Sequence, residues 1–139
     1  MFLKIFSSLF LLFTGLFICS CRYVDGPDFS IIPPEKRIER EWIIDLVFDL
    51  STNTDITSDY KDYTVTYYKD GTFQLKLNDT LSSDGEWKFT NNKTVIDVSN
   101  LTSYKPDPFP SNFDQEIYKL TTHELKTHYQ ELNITWRAL

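Results

Sequence analysis

The chain has 139 residues, with 14 basic and 20 acidic side chains, a formal net charge of −6, 41% hydrophobic, 16% aromatic and 24% charged residues. That length allows one domain and hardly two, and so aromatic a chain with four glycines and six prolines is neither disordered nor low in complexity. The acidic balance argues against a nucleic-acid binder, which needs a basic stripe to displace counterions, and two cysteines near the start argue against a disulfide framework or a zinc site across the domain.

The first 20 residues read as an address. Lys4 supplies a positive n-region, and Ile5 to Ile18 is a dense apolar run broken only by Ser7, Ser8, Thr14 and Gly15. It is shorter than the roughly 20 apolar residues of a membrane-spanning helix and suits a signal-peptide h-region. Ile18-Cys19-Ser20-Cys21 resembles the bacterial lipobox, in which a small residue precedes a cysteine that takes lipid. Ser20 is the small residue, Ile18 stands where leucine is usual, and bulky Ile18 makes Cys19 the poorer acceptor. The resemblance implies lipidation at Cys21 and a place in the cell envelope, at the outer membrane. The acidic cluster that marks surface export in some Bacteroidetes lipoproteins does not follow Cys21 directly, so the face of the membrane stays open. Several acyl chains give durable attachment, where one alone is marginal. The competing reading, an ordinary cleaved signal peptide, would leave an unpaired thiol in an oxidising compartment.

The mature chain then runs from Cys21 to Leu139 with a net charge of −7, from 13 basic and 20 acidic residues. Residues 21–34 carry Gly26, Pro27, Pro33 and Pro34 and read as an extended tether; 35–139 form the domain. Glu35 to Glu41 is a candidate helical turn behind Pro34. From Trp42 to Leu50, Trp42, Ile44, Leu46 and Phe48 share one face at period two, with Ile43 and Val47 on the other, so a longer helix from Ile38 is the alternative. Ser51 to Lys61 reads as a loop. Tyr63, Val65 and Tyr67 alternate with threonines, Lys69-Asp70-Gly71 makes a hairpin turn, and Phe73, Leu75 and Leu77 follow. Asn78 to Gly85 reads as a turn region, Trp87 and Phe89 as the next inward face, Asn91-Asn92 as a turn, and Thr94 to Val98 as a β-branched strand. Leu101 to Asp114, with three prolines, reads as a long loop. Glu116 to Leu120, Glu124 to Tyr129 and Leu132 to Trp136 complete about eight strands, the pattern of an all-β antiparallel meander or small barrel.

Four segments in order resemble the bacterial lipocalin-like group. Ile38-Glu39-Arg40-Glu41-Trp42 is similar to its opening apolar-x-Gly-x-Trp, with Arg40 at the glycine position. Tyr68 to Phe73 is similar to its aromatic-x-Asp-Gly-x-Phe hairpin, Gly85 to Phe89 to its Gly-x-Trp strand, and Ile117 to Leu125 to its closing segment. The resemblance implies a lipid-anchored, lipocalin-like barrel of a Bacteroidetes-type bacterium, with Trp42 at the closed end. It brings no substrate.

Chemistry-bearing patterns are scarce. His123 and His128 are five apart, which on a regular strand puts them on opposite faces, poor for a shared metal. There is no Gly-x-Ser-x-Gly elbow and no phosphate-cradling glycine loop. Asp49, Asp55, Asp59 and Asp62 surround one loop without the glycine of a calcium loop, and read as solvated. The expectation is a protein that is not an enzyme, with no cofactor and no metal.

The aromatics carry the rest. Tyr67, Phe73, Trp87, Phe89, Tyr129 and Trp136 fall on inward faces, either as packed core or as the lining of a ligand pocket. Tyr104, Phe109 and Phe113 belong to a proline-aromatic loop, either a contact surface or a cap folded onto the barrel. Sequons at Asn78, Asn92, Asn100 and Asn133 read as turn composition. Two functions follow as expectations. One is a membrane-tethered barrel binding a small apolar or amphipathic ligand; the other is an envelope protein-binding module or inhibitor acting through its surface.

Overall fold

Pro34 opens the first element among the described residues, where its fixed φ suits the first helical position. Helix α1 (Pro34–Ile38) is a single turn that ends at Glu39 and buries Ile38 completely. The computed structural model describes residues 31–104 and 109–139; the expected signal segment, Cys21, most of the expected tether and positions 105–108 of the proline-aromatic loop lie outside the described residues.

Among the described residues nine strands follow: β1 (Glu41–Asp49), β2 (Thr54–Asp55), β3 (Tyr63–Tyr67), β4 (Thr72–Leu77), β5 (Thr80–Thr90), β6 (Val95–Ser103), β7 (Phe113–Leu120), β8 (Glu124–Tyr129) and β9 (Leu132–Ala138). Every pairing is antiparallel, and β1 pairs with both β3 and β9, so eight strands close into a barrel with the two-residue β2 outside the ring. Closure removes free edges, and consecutive neighbours need only short turns. Among the described residues the hydrogen-bonded ladder closes on itself and encloses one continuous core, the mark of a domain that folds as a unit.

The turns show why the sequence breaks where it does. In the hairpin after β3 only Gly71 has a positive φ, +87°, and Tyr68 accepts from its N–H at 3.1 Å. This is a three-residue loop with glycine in the left-handed position. Asn78 and Asp79, at φ 51° and 59°, form a two-residue turn between β4 and β5 with both central residues left-handed. Asparagine tolerates that region better than most residues, which accounts for the Asn content: Asn78, Asn92 and Asn100, three of the four sequon positions, all have positive φ.

Four strand expectations are corrected. The turn expected over Asn78 to Gly85 is only Asn78-Asp79, and the rest belongs to the long β5, bent by a bulge at Ser82 and faced at Gly85 by a bulge of β6 at Asn100-Leu101. The loop expected from Leu101 begins after Ser103, because β6 continues beside β5 through Ser83↔Ser103. The Ser51–Lys61 loop holds β2 and a 3-10 turn (Thr57–Asp59), with Ile56 and Tyr60 packed on the core. In β1, Leu46 and Phe48 do not share the face of Trp42 and Ile44. An extra residue, Asp45, bulges between Ile44↔Trp136 and Leu46↔Thr135 and reverses the alternation. Val47 is therefore fully buried, and Leu46 turns to solvent.

The two ends close differently. At the end holding α1, Trp42 is completely buried and its Nε1 donates to the Ile38 carbonyl at 3.0 Å. Arg37 and Arg40 donate to the Leu120 and Thr122 carbonyls of the β7–β8 connection, and the Arg40 guanidinium lies 5.9 Å from the Trp42 ring centroid. Lys93, in the β5–β6 turn, pairs with Glu35 of the helix. At the opposite end Phe109 folds back over the barrel, so two of the three proline-aromatic loop rings, Phe109 and Phe113, are buried as a cap; Tyr104 is 60% exposed.

Candidate functional site

The six rings expected to face inward all do so. Tyr67, Phe73, Trp87, Tyr129 and Trp136 are buried, and Phe89 is half-buried against them. Five of them, all but Trp136, are brought together with the capping rings into one chain of contacts. Phe89 meets Trp87 edge-on at 5.4 Å, Trp87 meets Tyr67 at 5.4 Å, and Tyr67 meets Phe73 at 5.5 Å. Phe73 meets Phe113 at 6.1 Å; Phe113 stacks on Phe109 at 4.8 Å, and both press on Tyr129. Trp136 stands apart from this chain, its Nε1 donating to Thr127 Oγ1 at 3.1 Å. Ring centroids at 4.5–7 Å are the spacing of aromatic packing, so these side chains touch each other where a pocket lining would face space. The buried polar atoms without a hydrogen-bond partner among the described residues include the Tyr67 hydroxyl and Gln115 Oε1. Burial alone pushes the Tyr67 phenol far above its ordinary value of 10.0.

The open concavity is elsewhere, on the outer surface, with a volume of about 510 Å³. The register explains it. On the outer face of β9 the side chains of Asn133 and Thr135 are short. Across the ladder, Phe48↔Asn133↔His128 and Leu46↔Thr135↔Lys126 place longer side chains on either flank. A trough therefore runs along β9, with Leu46, Phe48 and Leu50 as its apolar wall and Lys126, His128 and Tyr118 as the opposite wall. Both walls depend on bulges: Asp45 turns Leu46 and Phe48 outward, and the extra residue Tyr118 in β7 swings its ring against His128, centroids 6.0 Å apart. Arg137, next along the outer face of β9, pairs with Asp45 at 3.7 Å and stops the trough toward the α1 end.

His128 Nδ1 lies 2.9 Å from Asn133 Oδ1. An amide oxygen has no proton to give, so Nδ1 carries it and the ring is fixed with Nε2 as its remaining polar atom. Lys126 is 3.8 Å from Glu124, which holds Lys119 more closely at 2.5 Å. His123 is exposed in the β7–β8 turn, and among the described residues no three His, Cys, Asp or Glu side chains converge as metal ligands. Of the loop aspartates, Asp49 and Asp55 are committed to their own turns. Their Oδ1 atoms accept from the Ser51 and Thr57 hydroxyls at 2.6 Å and from the same residues' backbone N–H groups, holding both carboxyls below the ordinary value of 3.8.

Sequence reasoning missed the trough because it counted Leu46 and Phe48 into the core. One signal was present: apolar residues on both parities between Ile43 and Phe48, the trace that a bulge leaves in a half-buried strand.

The fold is found in solved structures. A lipocalin-like protein from Bacteroides uniformis superposes with a TM-score of 0.60 at 13% identity, covering 74% of this chain and 99% of that one. An uncharacterized protein from Bacteroides eggerthii gives 0.55 at 13% identity, covering 73% and 99%. A DUF4847 family protein from Bacteroides vulgatus gives 0.50 at 11% identity, covering 74% and 94%. No protein-family model and no curated protein matches the chain. At these identities the likeness speaks for the fold: an all-β, eight-stranded lipocalin-like barrel with one extra strand.

Proposed function

We propose that this chain is a lipid-anchored protein of the cell envelope, tethered at Cys21 to the outer membrane, that binds a small apolar or amphipathic ligand without turning it over. The barrel is the scaffold and the outer trough is the binding site. One observation carries this reading: the inward rings are spent on one another, while a concavity of about 510 Å³ with one apolar wall opens outside, a volume within the roughly 300–1,000 Å³ of small-molecule sites.

The test is native mass spectrometry of the protein solubilised from its host's envelope. A retained mass of a few hundred daltons, lost on denaturation and lost in Phe48→Ser but kept in Tyr67→Phe, is the expected result. Loss in Tyr67→Phe with retention in Phe48→Ser would put the cargo inside the barrel, where the unpartnered Tyr67 hydroxyl and Gln115 oxygen favour a second reading as an internal carrier. The anchor is tested separately. Cys21→Ser is expected to abolish incorporation of labelled palmitate and release the chain from washed membranes; unchanged incorporation would exclude Cys21 as the acceptor.

A further inference from the structure

The trough has a sign as well as a shape. Among its lining residues are Lys126 and His128 and no carboxylate, on a chain with six more acidic than basic residues. The two cationic or cation-capable groups stand on one wall, and the apolar side chains of Leu46 and Phe48 stand on the other, one β-strand away on either side of β9.

We propose that the trough selects amphipathic carboxylates, seating the apolar body on Leu46, Phe48 and Leu50 and the carboxylate at Lys126 and His128. This rests on the reading of the trough as the binding site. The geometry suits it. Lys126 and His128 are two residues apart on one face of β8, so their Cα atoms are about 7 Å apart, a gap the flexible lysine stem covers. A carboxylate has two oxygens that only accept. Lys126 offers them an ammonium that is not locked elsewhere, because its 3.8 Å approach to Glu124 is well beyond the roughly 2.7–2.9 Å of a charge-assisted hydrogen bond. His128 stands beside it on the same wall, its ring fixed by Asn133. The surroundings limit the head to one negative charge. Glu116 pairs opposite His128 in register, and Glu124 sits behind Lys126; both would repel a dianionic phosphate.

The experiment titrates the mature chain from Arg22, which carries the whole described domain, with decanoate below its micelle concentration, and with decanol as the neutral control. Backbone NMR shifts locate each probe. Decanoate is expected to move the outward residues of β1, β8 and β9. Lys126→Gln is expected to weaken decanoate about two- to fivefold, the range of an exposed ion pair, and to leave decanol unchanged. Phe48→Ser is expected to weaken both. Both positions face outward, and unchanged spectra for the interior rings verify the fold of each variant. Decanol binding in the trough as tightly as decanoate, with Lys126→Gln indifferent, would overturn the carboxylate preference while leaving the trough as a site. Shifts confined to the interior, or none with either probe at millimolar concentration, would overturn both.

Discussion

The Tyr67 hydroxyl is fully buried without a partner among the described residues, and its ring is already held by Phe73 and Trp87. An unsatisfied buried hydroxyl costs about 1–3 kcal/mol. Tyr67→Phe keeps the ring and removes the cost, so the denaturation midpoint is expected to rise by an amount worth about 1 kcal/mol with no change in slope. A loss of stability would show that the hydroxyl has a bound partner. A second effect at this scale is the pH response of the turns. Asp49 and Asp55 are depressed first by the Ser51 and Thr57 hydroxyls and then by backbone N–H groups. A carboxyl whose folded value is lowered contributes stability above its unfolded value, and loses it as pH falls through the folded one. The melting temperature is therefore expected to decline below the ordinary 3.8. Asp55→Asn keeps an acceptor oxygen and should blunt that decline; an unchanged acid limb would exclude the turn carboxylates as its source.

Among the elements, β1 shows what a single extra residue does and β5 what a missing side chain allows. Alternation read straight along β1 assigns Leu46 and Phe48 to the core; the Asp45 bulge gives the core Val47 and leaves the other two to build a surface wall. In β5, Gly85 is the residue that lets β6 come close. A Cβ there would stand 2.8 Å from the Ser99 carbonyl oxygen and 3.1 Å from the Leu101 Cα, both backbone. Gly85→Ala is expected to cost about 1–3 kcal/mol as an overpacking change, measured by chemical denaturation. Stability equal to the parent would mean that the β5–β6 pairing slides to accept the methyl. The strands themselves were legible as alternating apolar residues between turn residues, and all eight expected strands are present. The bulges left one trace, the mixed parity of apolar residues in β1, but where a bulge falls is chosen by how two neighbouring strands twist and register, which a single strand's sequence does not encode.

For the whole molecule, closure is a matter of its ends. The end at α1 is sealed by Trp42, Ile38 and two arginines reaching carbonyls more than 80 positions away in the chain. Arg40, at the position where the lipocalin-like pattern has glycine, bridges the Trp42 face and the Thr122 carbonyl. Arg40→Gly would restore the pattern's residue yet is expected to destabilise the barrel by about 1–3 kcal/mol, from the lost hydrogen bond and cation–π contact. The readouts are the unfolding midpoint and a shift in tryptophan emission as Trp42 gains solvent. An unchanged midpoint would show that the helix alone seals this end. At the other end the Phe109–Phe113–Tyr129 stack does the same with rings.

The amino-acid sequence by itself determined the all-β character and the inward aromatic positions. Those follow from local features: period-two alternation, and Asp, Asn and Gly where the backbone must turn left-handed. Only the tertiary structure decided whether the inward rings line a space or fill it, and that the proline-aromatic loop folds back as a cap. It also decided that the trough lies outside, between β1 and β8. Each of these depends on which side chains from distant segments share one layer. Barrel closure and two one-residue bulges set those layers, and they exist only once all eight strands are in register.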